Sequence, residues 1–351
     1  MSDLPPAPIG SFVSDNAAGV SSQVMDALAA ANHGTAMAYG DDDWTVRAQR
    51  ALRDAFDAPV RSYFCWGGTG ANVVGLASVL QPWQAVLCAD SAHIVVDECG
   101  APARFTGSTI APIATDDGKL TAEHIRTYLQ WQGSEHHPQP AVVAITQSTE
   151  MGTLYSVDEI ATLCDAAHAA GMLVHLDGAR IANAIVATGT DLATMVRDTG
   201  VDLMTMGFTK NGAMFGETVV FVTEGLDVHT RFVRKQAGQL ISKGRYVAAQ
   251  VLALLDDDLW LRNAAHANRM SRSLADAVRD IPGVRIADEP TVNSVFAHLP
   301  ASAIAALQEW SFFWEWDLTI DLVRWMTSFA TTDDDVARFA AGVRAVVAAH
   351  H

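Results

Sequence analysis

Short runs of β-branched and other apolar residues alternate with segments of helical periodicity up to about residue 222. These runs lie at 85–88, 141–146 (AVVAIT), 172–177 (MLVHLD), 201–207 (VDLMTMG) and 218–222 (TVVFV). Their length is that of strands, and their nearly continuous apolar character is typical of strands covered on both faces. Helices are predicted at 22–32, 45–57 and 157–170, and another begins near Gly70. The alternation predicts an α/β domain with a mostly parallel central sheet flanked by helices.

The pattern changes after about residue 240. Two long helical segments, predicted at 244–258 and 261–280, come first. They are followed by the short apolar runs IPGVRI and NSVFAHL and by a terminal helix at 333–350. This order favours a second, smaller α+β domain. We therefore expect an N-terminal arm at 1–13, a large α/β domain at 14–244 and a small C-terminal α+β domain at 245–351.

The charge excludes several classes of partner. Among 351 residues, 40 Asp and Glu outnumber 23 Lys and Arg, for a net charge of −17. Binding to nucleic acid or to an anionic membrane needs positive charge, so neither is expected. No segment is typical of a signal peptide or a membrane span, and the four cysteines lack metal-site or disulfide spacing. We expect a cytoplasmic enzyme that acts on a small molecule and has no metal site.

The segment CWGGTGAN at 65–72 places glycines at the start of a helix. Backbone N–H groups at a helix N-terminus bind anions, and the Thr69 hydroxyl adds a donor. The segment matches neither the dinucleotide-binding fingerprint nor the P-loop. It is either a phosphate site or an ordinary glycine-rich helix start.

Two further candidates lie where a predicted buried strand ends. Asp177 ends the strand 172–177, where a side chain points into the crevice in which α/β sheets bind ligands; it could also cap the next helix. Lys210 follows the strand 201–207, with no other charge between Asp202 and Glu217. A desolvated lysine has a lowered pKa and can form a Schiff base, although most lysines are solvated surface charges.

The order of these three elements indicates one cofactor. Pyridoxal 5'-phosphate needs a phosphate site, an acid beside its pyridine nitrogen and a lysine for the Schiff base. The glycine turn, Asp177 and Lys210 offer one candidate for each requirement. A nucleotide-dependent oxidoreductase is an alternative, in which Asp90 would bind the ribose, but it leaves Asp177 and Lys210 without roles.

The chain resembles the L-threonine aldolases of the aspartate-aminotransferase fold, which are grouped with the β-eliminating lyases. The similarity extends from about Phe12 to the C-terminal helix. Its segments are FVSDNAAG (12–19), AYGDDDWT (38–45), GGTGAN (67–72), DSAHIVVDECGA (90–101), HLDGARIANA (175–184), GFTKNGA (207–213) and LVRWMTSF (322–329). The resemblance implies the fold of the PLP-dependent transferases and cleavage of L-threonine or L-allo-threonine, and of related β-hydroxy amino acids such as phenylserine, to glycine and an aldehyde.

The resemblance also implies roles at the cofactor. Gly68, Thr69 and Gly70 would hold the phosphate, Asp177 would pair with the pyridine nitrogen, and Lys210 would form the Schiff base. His93 would stack on the ring, although it could equally be a core histidine. Arg180 would contact the cofactor or the substrate, and its alternative is a surface ion pair.

Roles at the substrate follow in the same way. Ser14 and Arg324 would bind the α-carboxylate, with a helix cap and a plain strand residue as their structural alternatives. Tyr39 and Asp42 belong to a segment that reaches the site of a neighbouring subunit in this family. A homodimer or homotetramer with shared active sites is therefore expected.

Some positions depart from the family pattern. Gln147 and Glu150, in TQSTEMGT, replace a Glu and a His. His137, in the pair His136–His137, lies where the family has a histidine near the substrate hydroxyl, so His93 and His137 are both candidate bases; a two-histidine surface loop is the alternative. Lys243 or Arg245 is expected to replace a phosphate-binding arginine.

The residues alone do not distinguish aldol cleavage from other reactions of the same cofactor. β-Elimination, transamination and racemisation share a carbanion at Cα with aldol cleavage, and Asp177 suits all of them. A homologue without catalysis is the remaining alternative.

Overall fold

The computed structural model describes residues 4–350. The helices are α1 (Ser22–Ala31), α2 (Asp43–Phe56), α3 (Gly68–Val79), α4 (His93–Val96), α5 (Ala101–Thr106), α6 (Ala122–Tyr128), α7 (Val157–Ala169), α8 (Ile181–Thr188), α9 (Thr230–Gln236), α10 (Arg245–Leu255), α11 (Leu259–Val278), α12 (Ala301–Trp310) and α13 (Asp333–His350). The strands are β1 (Arg61–Cys65), β2 (Gln84–Ala89), β3 (Thr109–Ile113), β4 (Gln139–Thr146), β5 (Leu173–Gly178), β6 (Leu203–Gly207), β7 (Glu217–Phe221), β8 (Arg285–Ile286), β9 (Ser294–His298), β10 (Trp314–Asp317) and β11 (Leu322–Met326).

A seven-stranded sheet forms the centre of the larger part, in the order β1-β7-β6-β5-β4-β2-β3. Only β7 is antiparallel, and it lies between β1 and β6. The other strand pairs are parallel. The predicted α/β architecture with a mostly parallel sheet is thus confirmed. The carboxyl ends of β4, β5 and β6 lie side by side at one edge of the sheet, where ligands bind in folds of this class.

Continuous apolar burial explains why these runs form central strands. Every residue of β6 and β7 is buried, and Leu176 of β5 and Met204 of β6 are fully inaccessible. Burying a side chain of this size contributes about 1.5–3 kcal/mol. Helices cover both faces of the sheet, so no polar alternation is needed along the strands.

A second, antiparallel sheet has the order β10-β11-β9-β8. Its core includes Trp325, Phe313 and Phe339. Phe12 also lies in this core, with its ring centroid 4.4 Å from that of Phe339. The arm predicted at 1–13 is therefore anchored in this core at Phe12, whose ring is fully buried.

The boundary predicted at residue 245 is too early. Helix α10 and the first turns of α11 lie in the core of the large domain, through residues such as Val247, Leu254 and Trp260. The helix predicted at 244–258 ends at Leu255, and Asp257 there has a positive φ of 48°. No helix within residues 4–350 is long and apolar enough to cross a bilayer.

Candidate active site

Asp177 and Lys210 lie at the carboxyl ends of neighbouring strands. Asp177 of β5 is in register with Thr205 of β6. Lys210 follows β6 in a short 3₁₀ turn over Thr209–Asn211. Both groups therefore lie at the same edge of the sheet, although 33 positions separate them in the sequence.

Lys210 as a whole is half-buried, and four charged side chains influence its amine. Burial, and next the positive charge of Arg180, lower its pKa, against the opposing effects of Asp15, Asp177 and Glu217. Within residues 4–350, Nζ makes no hydrogen bond or ion pair. A lysine with a lowered pKa and a free Nζ is suited to attack a carbonyl carbon.

Glu217 supports the turn that carries Lys210, and sequence analysis did not assign it a role. Its carboxylate accepts hydrogen bonds from the backbone N–H groups of Phe208, at 2.8 Å, and Thr209, at 3.4 Å. Burial raises the pKa of Glu217 to about 7. The lone acid at the start of β7 was visible in the sequence, but nothing there showed that it faces the lysine turn.

The Asp177 carboxylate is held on both oxygens. Oδ1 accepts a hydrogen bond from the backbone N–H of Ala179 at 3.0 Å, and Oδ2 accepts one from Asn72 Nδ2 at 2.9 Å. The bond to Ala179 resembles a capping interaction, the alternative considered for this residue. Because each carboxylate oxygen has a further lone pair, both hydrogen bonds leave Asp177 able to accept from a ligand.

The glycine turn opens helix α3, whose first N–H groups have no partner within the helix. A Cβ atom added to Gly67 or Gly68 would meet nothing within 4 Å, so the space in front of the turn is open. At Gly70, a Cβ would lie 2.3 Å from the side chain of Gln239. Gln239 in turn accepts a hydrogen bond from Trp66 N, which holds the turn in place.

Arg180 is paired with Asp15, a residue that the sequence did not single out. The guanidinium donates from Nε to Oδ2 at 2.7 Å and from Nη2 to Oδ1 at 3.0 Å. Asn293 Nδ2 also donates to Asp15 Oδ2, at 3.0 Å. Burial alone would raise the pKa of Asp15, but the charges of Arg180 and Lys210 outweigh it and lower the pKa.

Replacing Asp15 with asparagine should destabilise the protein by about 3 kcal/mol at pH 7, because Arg180 then loses, in a buried position, the one ion-pair partner it has among residues 4–350. The folded-state pKa of Asp15 lies below its ordinary value of 3.8. The carboxylate therefore contributes its full stabilisation above about pH 4, and this contribution is lost progressively as the pH falls through the lower folded-state pKa. Urea unfolding at several pH values between 7 and 2 tests this; a difference between the two proteins that stays constant over the whole range would contradict it.

Arg324 of β11 points its guanidinium over the ring of Trp316, 4.6 Å from the centroid. Its Nε is buried and has no hydrogen-bond partner in the described part of the chain. Burial, and then the nearby charge of Arg180, lower the pKa of Arg324 to about 10. A partly buried guanidinium without an acidic partner is an anion site, since burying an uncompensated charge is costly.

His93 begins the short helix α4 and lies beside the same cluster. Its Nδ1 is 2.8 Å from Oε1 of Glu98, whose side chain is fully buried. Asn72 Nδ2 donates to the same Glu98 oxygen at 2.8 Å. Neither Glu98 nor Asn72 was predicted as a site residue, although both lie within segments that carry the family resemblance.

Ser14 is half-buried next to Asp15, and its Oγ accepts a hydrogen bond from Asn16 N at 3.1 Å. It therefore caps the 3₁₀ turn Asp15–Ala17. Its hydroxyl donates only a long hydrogen bond, to Asp15 Oδ1 at 3.5 Å, which a bound carboxylate could replace.

The structure does not bring His137 to this cluster. His137 is exposed and stacks on Trp131, with ring centroids 5.4 Å apart. It precedes β4, whereas the cluster lies beyond the other end of that strand; eight residues of β-strand span about 26 Å. The prediction that His137 acts in this site is therefore wrong for the site within one chain, and His136 lies in the same exposed loop.

Tyr39 and Lys243 are also outside the cluster of their own chain. Tyr39 N donates to Ser242 O at 2.9 Å, so the two segments are adjacent, and both side chains are exposed. Asp42 is buried and caps helix α2 by accepting from Thr45 N at 2.8 Å. Arg245 donates to Gly34 O at 3.3 Å. No hydrogen bond or ion pair within residues 4–350 joins these groups to Lys210, Asp177 or Arg180.

The loop after β4 contains the two departures from the family pattern. Gln147 is buried and bonds both the N–H and the carbonyl of Tyr155, which is a structural role. Glu150 instead faces the cluster: its Oε1 accepts from His93 N and from Thr146 Oγ1, each at 3.0 Å. Burial raises the pKa of Glu150.

Comparisons with known proteins agree on one family. The family model described as beta-eliminating lyase matches residues 11–302. A low-specificity L-threonine aldolase from a Pseudomonas species is 38% identical over 341 residues, which are 96% of this chain and 98% of that protein. A threonine aldolase structure from Leishmania major is 30% identical, has a TM-score of 0.89, and covers 96% of this chain and 99% of its own.

A more distant structure agrees in fold alone. An aspartate aminotransferase from Rhizobium meliloti has a TM-score of 0.71 at 15% identity, over 98% of this chain and 92% of its own. The aspartate-aminotransferase-like fold predicted from the sequence is therefore confirmed. In the described residues, no three His, Cys, Asp or Glu side chains converge as a metal site would require.

Proposed function

Because this chain belongs to the beta-eliminating lyase family, we propose that it binds pyridoxal 5'-phosphate and cleaves L-threonine to glycine and acetaldehyde. The observation that carries this proposal is the free amine of Lys210 beside Asp177 at adjoining strand ends. The similarity to named threonine aldolases supports the choice of reaction.

The residues present fit the cofactor. The open space before Gly67 and Gly68 and the free N–H groups at the start of α3 suit a phosphate, with Thr69 and Gly70 completing the turn. The Asp177 carboxylate suits a protonated pyridine nitrogen, and Lys210 suits the cofactor aldehyde. When bound, pyridoxal phosphate withdraws electrons from the substrate α-carbon.

The chain's own residues would orient the amino acid. Among the described residues the Arg324 guanidinium has no acidic partner and its buried Nε no hydrogen bond, which suits an α-carboxylate. The Ser14 hydroxyl, which donates to Asp15 Oδ1 at 3.5 Å, can donate to the same carboxylate instead. Arg180 forms an ion pair with Asp15. Its guanidinium adds positive potential on the side of the site where Arg324 lies. A carboxylate fixed in this way restrains rotation about the Cα bonds, and such positioning can supply several kcal/mol of the barrier.

The base that takes the β-hydroxyl proton is assigned to His93. Its imidazole lies within the electrostatic influence of both Asp177 and Lys210, and His137 is exposed beyond the far end of β4. Histidine is the side chain whose ordinary pKa best suits proton transfer near neutral pH.

Replacing Arg324 with leucine should raise KM for L-threonine about 10- to 100-fold, with a smaller effect on kcat. The change removes a hydrogen-bonded charge pair with the carboxylate, worth about 1.5–3 kcal/mol. Arg344 is exposed on α13 and Arg344→Leu is the matched control. Steady-state kinetics of both variants test the assignment, and an unchanged KM in Arg324→Leu would contradict it.

The finer properties are part of the same proposal. A homodimer or homotetramer would let Tyr39 and Lys243, which are exposed together, complete the site of a neighbouring subunit. The aromatic wall of Trp316 beside Arg324 supports phenylserine as a substrate in addition to L-allo-threonine. Free, buried thiols at Cys65, Cys88 and Cys164 suit a cytoplasmic location.

The test is product analysis with purified protein, pyridoxal phosphate and L-threonine. Acetaldehyde and glycine in equal amounts are expected. A keto acid in place of the aldehyde would instead indicate β-elimination or transamination at the same site, and would overturn the proposed reaction while retaining the cofactor.

A further inference from the structure

Two carboxylates hold His93 at different atoms. Glu150 Oε1 accepts from the backbone N–H of His93 at 3.0 Å, and Glu98 Oε1 lies 2.8 Å from the ring Nδ1. The side chain of Glu98 is fully inaccessible to solvent, and that of His93 is 38% accessible. The pair thus joins a buried acid to an imidazole that is partly accessible from the site.

The hydrogen bonds of Asn72 establish which partner donates. Asn72 Nδ2 gives one N–H to Glu98 Oε1 at 2.8 Å and the other to Asp177 Oδ2 at 2.9 Å. The Thr205 hydroxyl lies 2.8 Å from Asn72 Oδ1 and donates to it. This orientation of the amide satisfies every polar atom of Asn72, and the reversed orientation would point its carbonyl at a carboxylate.

Glu98 is consequently an acceptor from both Asn72 and His93. The proton between Glu98 and His93 belongs to Nδ1 of the imidazole, and the neutral ring carries its lone pair on Nε2. Within residues 4–350, Nε2 makes no hydrogen bond.

We propose that Glu98 is a positioning residue that fixes His93 in the Nδ1–H tautomer, and that Asn72 couples this pair to Asp177. His93 Nε2 is then the proton-accepting atom of the site. That this proton comes from the substrate β-hydroxyl rests on the proposed function. Glu98 lies outside every role that the family resemblance implied here.

The proton transfer balances without a further reactant. As the β-hydroxyl O–H bond breaks, its proton goes to Nε2 and its electron pair forms the second bond of the aldehyde carbonyl. The Cα–Cβ electron pair stays with Cα. The proton held on Nε2 is the one that Cα must gain to become glycine, so His93 returns to its neutral form.

The electrostatics of the pair agree with this role. The groups that face His93 are Glu98, Glu150, Asp177 and Lys210. The hydrogen bond to Glu98 is the largest influence and raises the pKa of His93, against the opposing effect of burial. Removing the Glu98 charge should therefore lower the pKa of His93 and move the acidic limb of the kcat profile to lower pH.

The test combines NMR with kinetics on the holoenzyme. Histidine labelled with ¹⁵N and ¹³C reports the tautomer and titration of each ring, and His93→Gln identifies the His93 signal among 12 histidines. We expect neutral His93 to carry its proton on Nδ1. Glu98→Gln, which keeps the shape and removes the charge, should lower the pKa of His93 and reduce kcat about 10-fold, with KM unchanged.

Two variants complete the design. Glu98→Leu removes the acceptor as well as the charge and should reduce kcat towards 100-fold. Glu123→Gln changes an exposed acid on α6 and should alter none of these quantities.

Either of two results would overturn the proposal: neutral His93 protonated on Nε2, or a His93 titration that Glu98→Gln leaves unchanged. The tautomer is measured in the unaltered protein, so it decides the matter even if a variant fails to fold. If the unaltered protein releases no aldehyde from L-threonine, the proposed function fails, whereas the NMR results still decide the role of Glu98.

Discussion

Lys210→Ala should reduce the release of acetaldehyde from L-threonine by about 10⁴- to 10⁶-fold, the range found when an enzyme loses the nucleophile that forms its covalent intermediate. The physical reason is the combination found just after β6. Nζ has no acceptor among residues 4–350, and burial together with the charge of Arg180 lowers its pKa. In the part of the chain that the structure describes, no other lysine hydrogen-bonds to or forms an ion pair with a residue of this cluster.

A matched control exists for this variant. Lys119 forms an ion pair with Glu159 at 2.7 Å, away from the cluster, so Lys119→Ala should change turnover less than twofold. Borohydride reduction followed by peptide mass analysis should find the cofactor attached to Lys210 in the unaltered protein. Attachment to another lysine, or near-native turnover by Lys210→Ala, would refute the assignment.

Asp177→Asn should reduce kcat by about 10²- to 10³-fold, which is typical for loss of one preorganised electrostatic group in a site. The substitution preserves the size of the side chain and removes the negative charge that would keep the pyridine nitrogen protonated. We also expect weaker binding of pyridoxal phosphate, measured by fluorescence titration of the cofactor-free protein.

Asp90→Asn is the control for this second variant. Asp90 also comes directly after a parallel strand, β2, but it is exposed. Its replacement should leave both kcat and cofactor affinity unchanged. Equal losses in the two variants would mean that Asp177 acts through the stability of the sheet and not at the cofactor.

Residues at strand ends could be predicted because topology alone brings them together. The sequence predicts Asp177 as the last residue of one buried strand and Lys210 in the turn that follows the next one. Parallel strands bring such residues to one edge of the sheet, whatever their separation along the chain. The apolar runs themselves were equally informative, since burial on both faces leaves a continuous pattern.

Side-chain networks could not be predicted in this way. Asp15 and Arg180 are 165 positions apart, and Asn72 and Asp177 are 105 apart. Hydrogen bonds of this kind leave no periodicity in the sequence. Ser14 was singled out, yet its neighbour Asp15 is the residue that pairs with Arg180. Glu98 was invisible for the same reason, because only the fold turns it towards His93.

The wrong predictions have physical causes too. The role of His137 follows only from its match to a position in the family pattern. His137 precedes β4, whereas the cluster lies beyond the other end of that strand. Helix α10 was assigned to the small domain because an apolar helix looks the same in either core. Its packing against the large domain depends on tertiary contacts, which the composition of the helix does not reveal.

The bridge that Asp15 forms to Arg180 and Asn293 has a consequence for the order in which the site is made. Arg180 comes 165 positions after Asp15 in the sequence, and Asn293 comes 278 positions after it. Arg324 follows Asn293. During synthesis, the glycine turn, Asp177 and Lys210 leave the ribosome well before Asn293 and Arg324. A nascent chain can therefore build the cofactor side of the site first. The residues that bind the amino acid are complete only when the C-terminal sheet packs against the N-terminal segment.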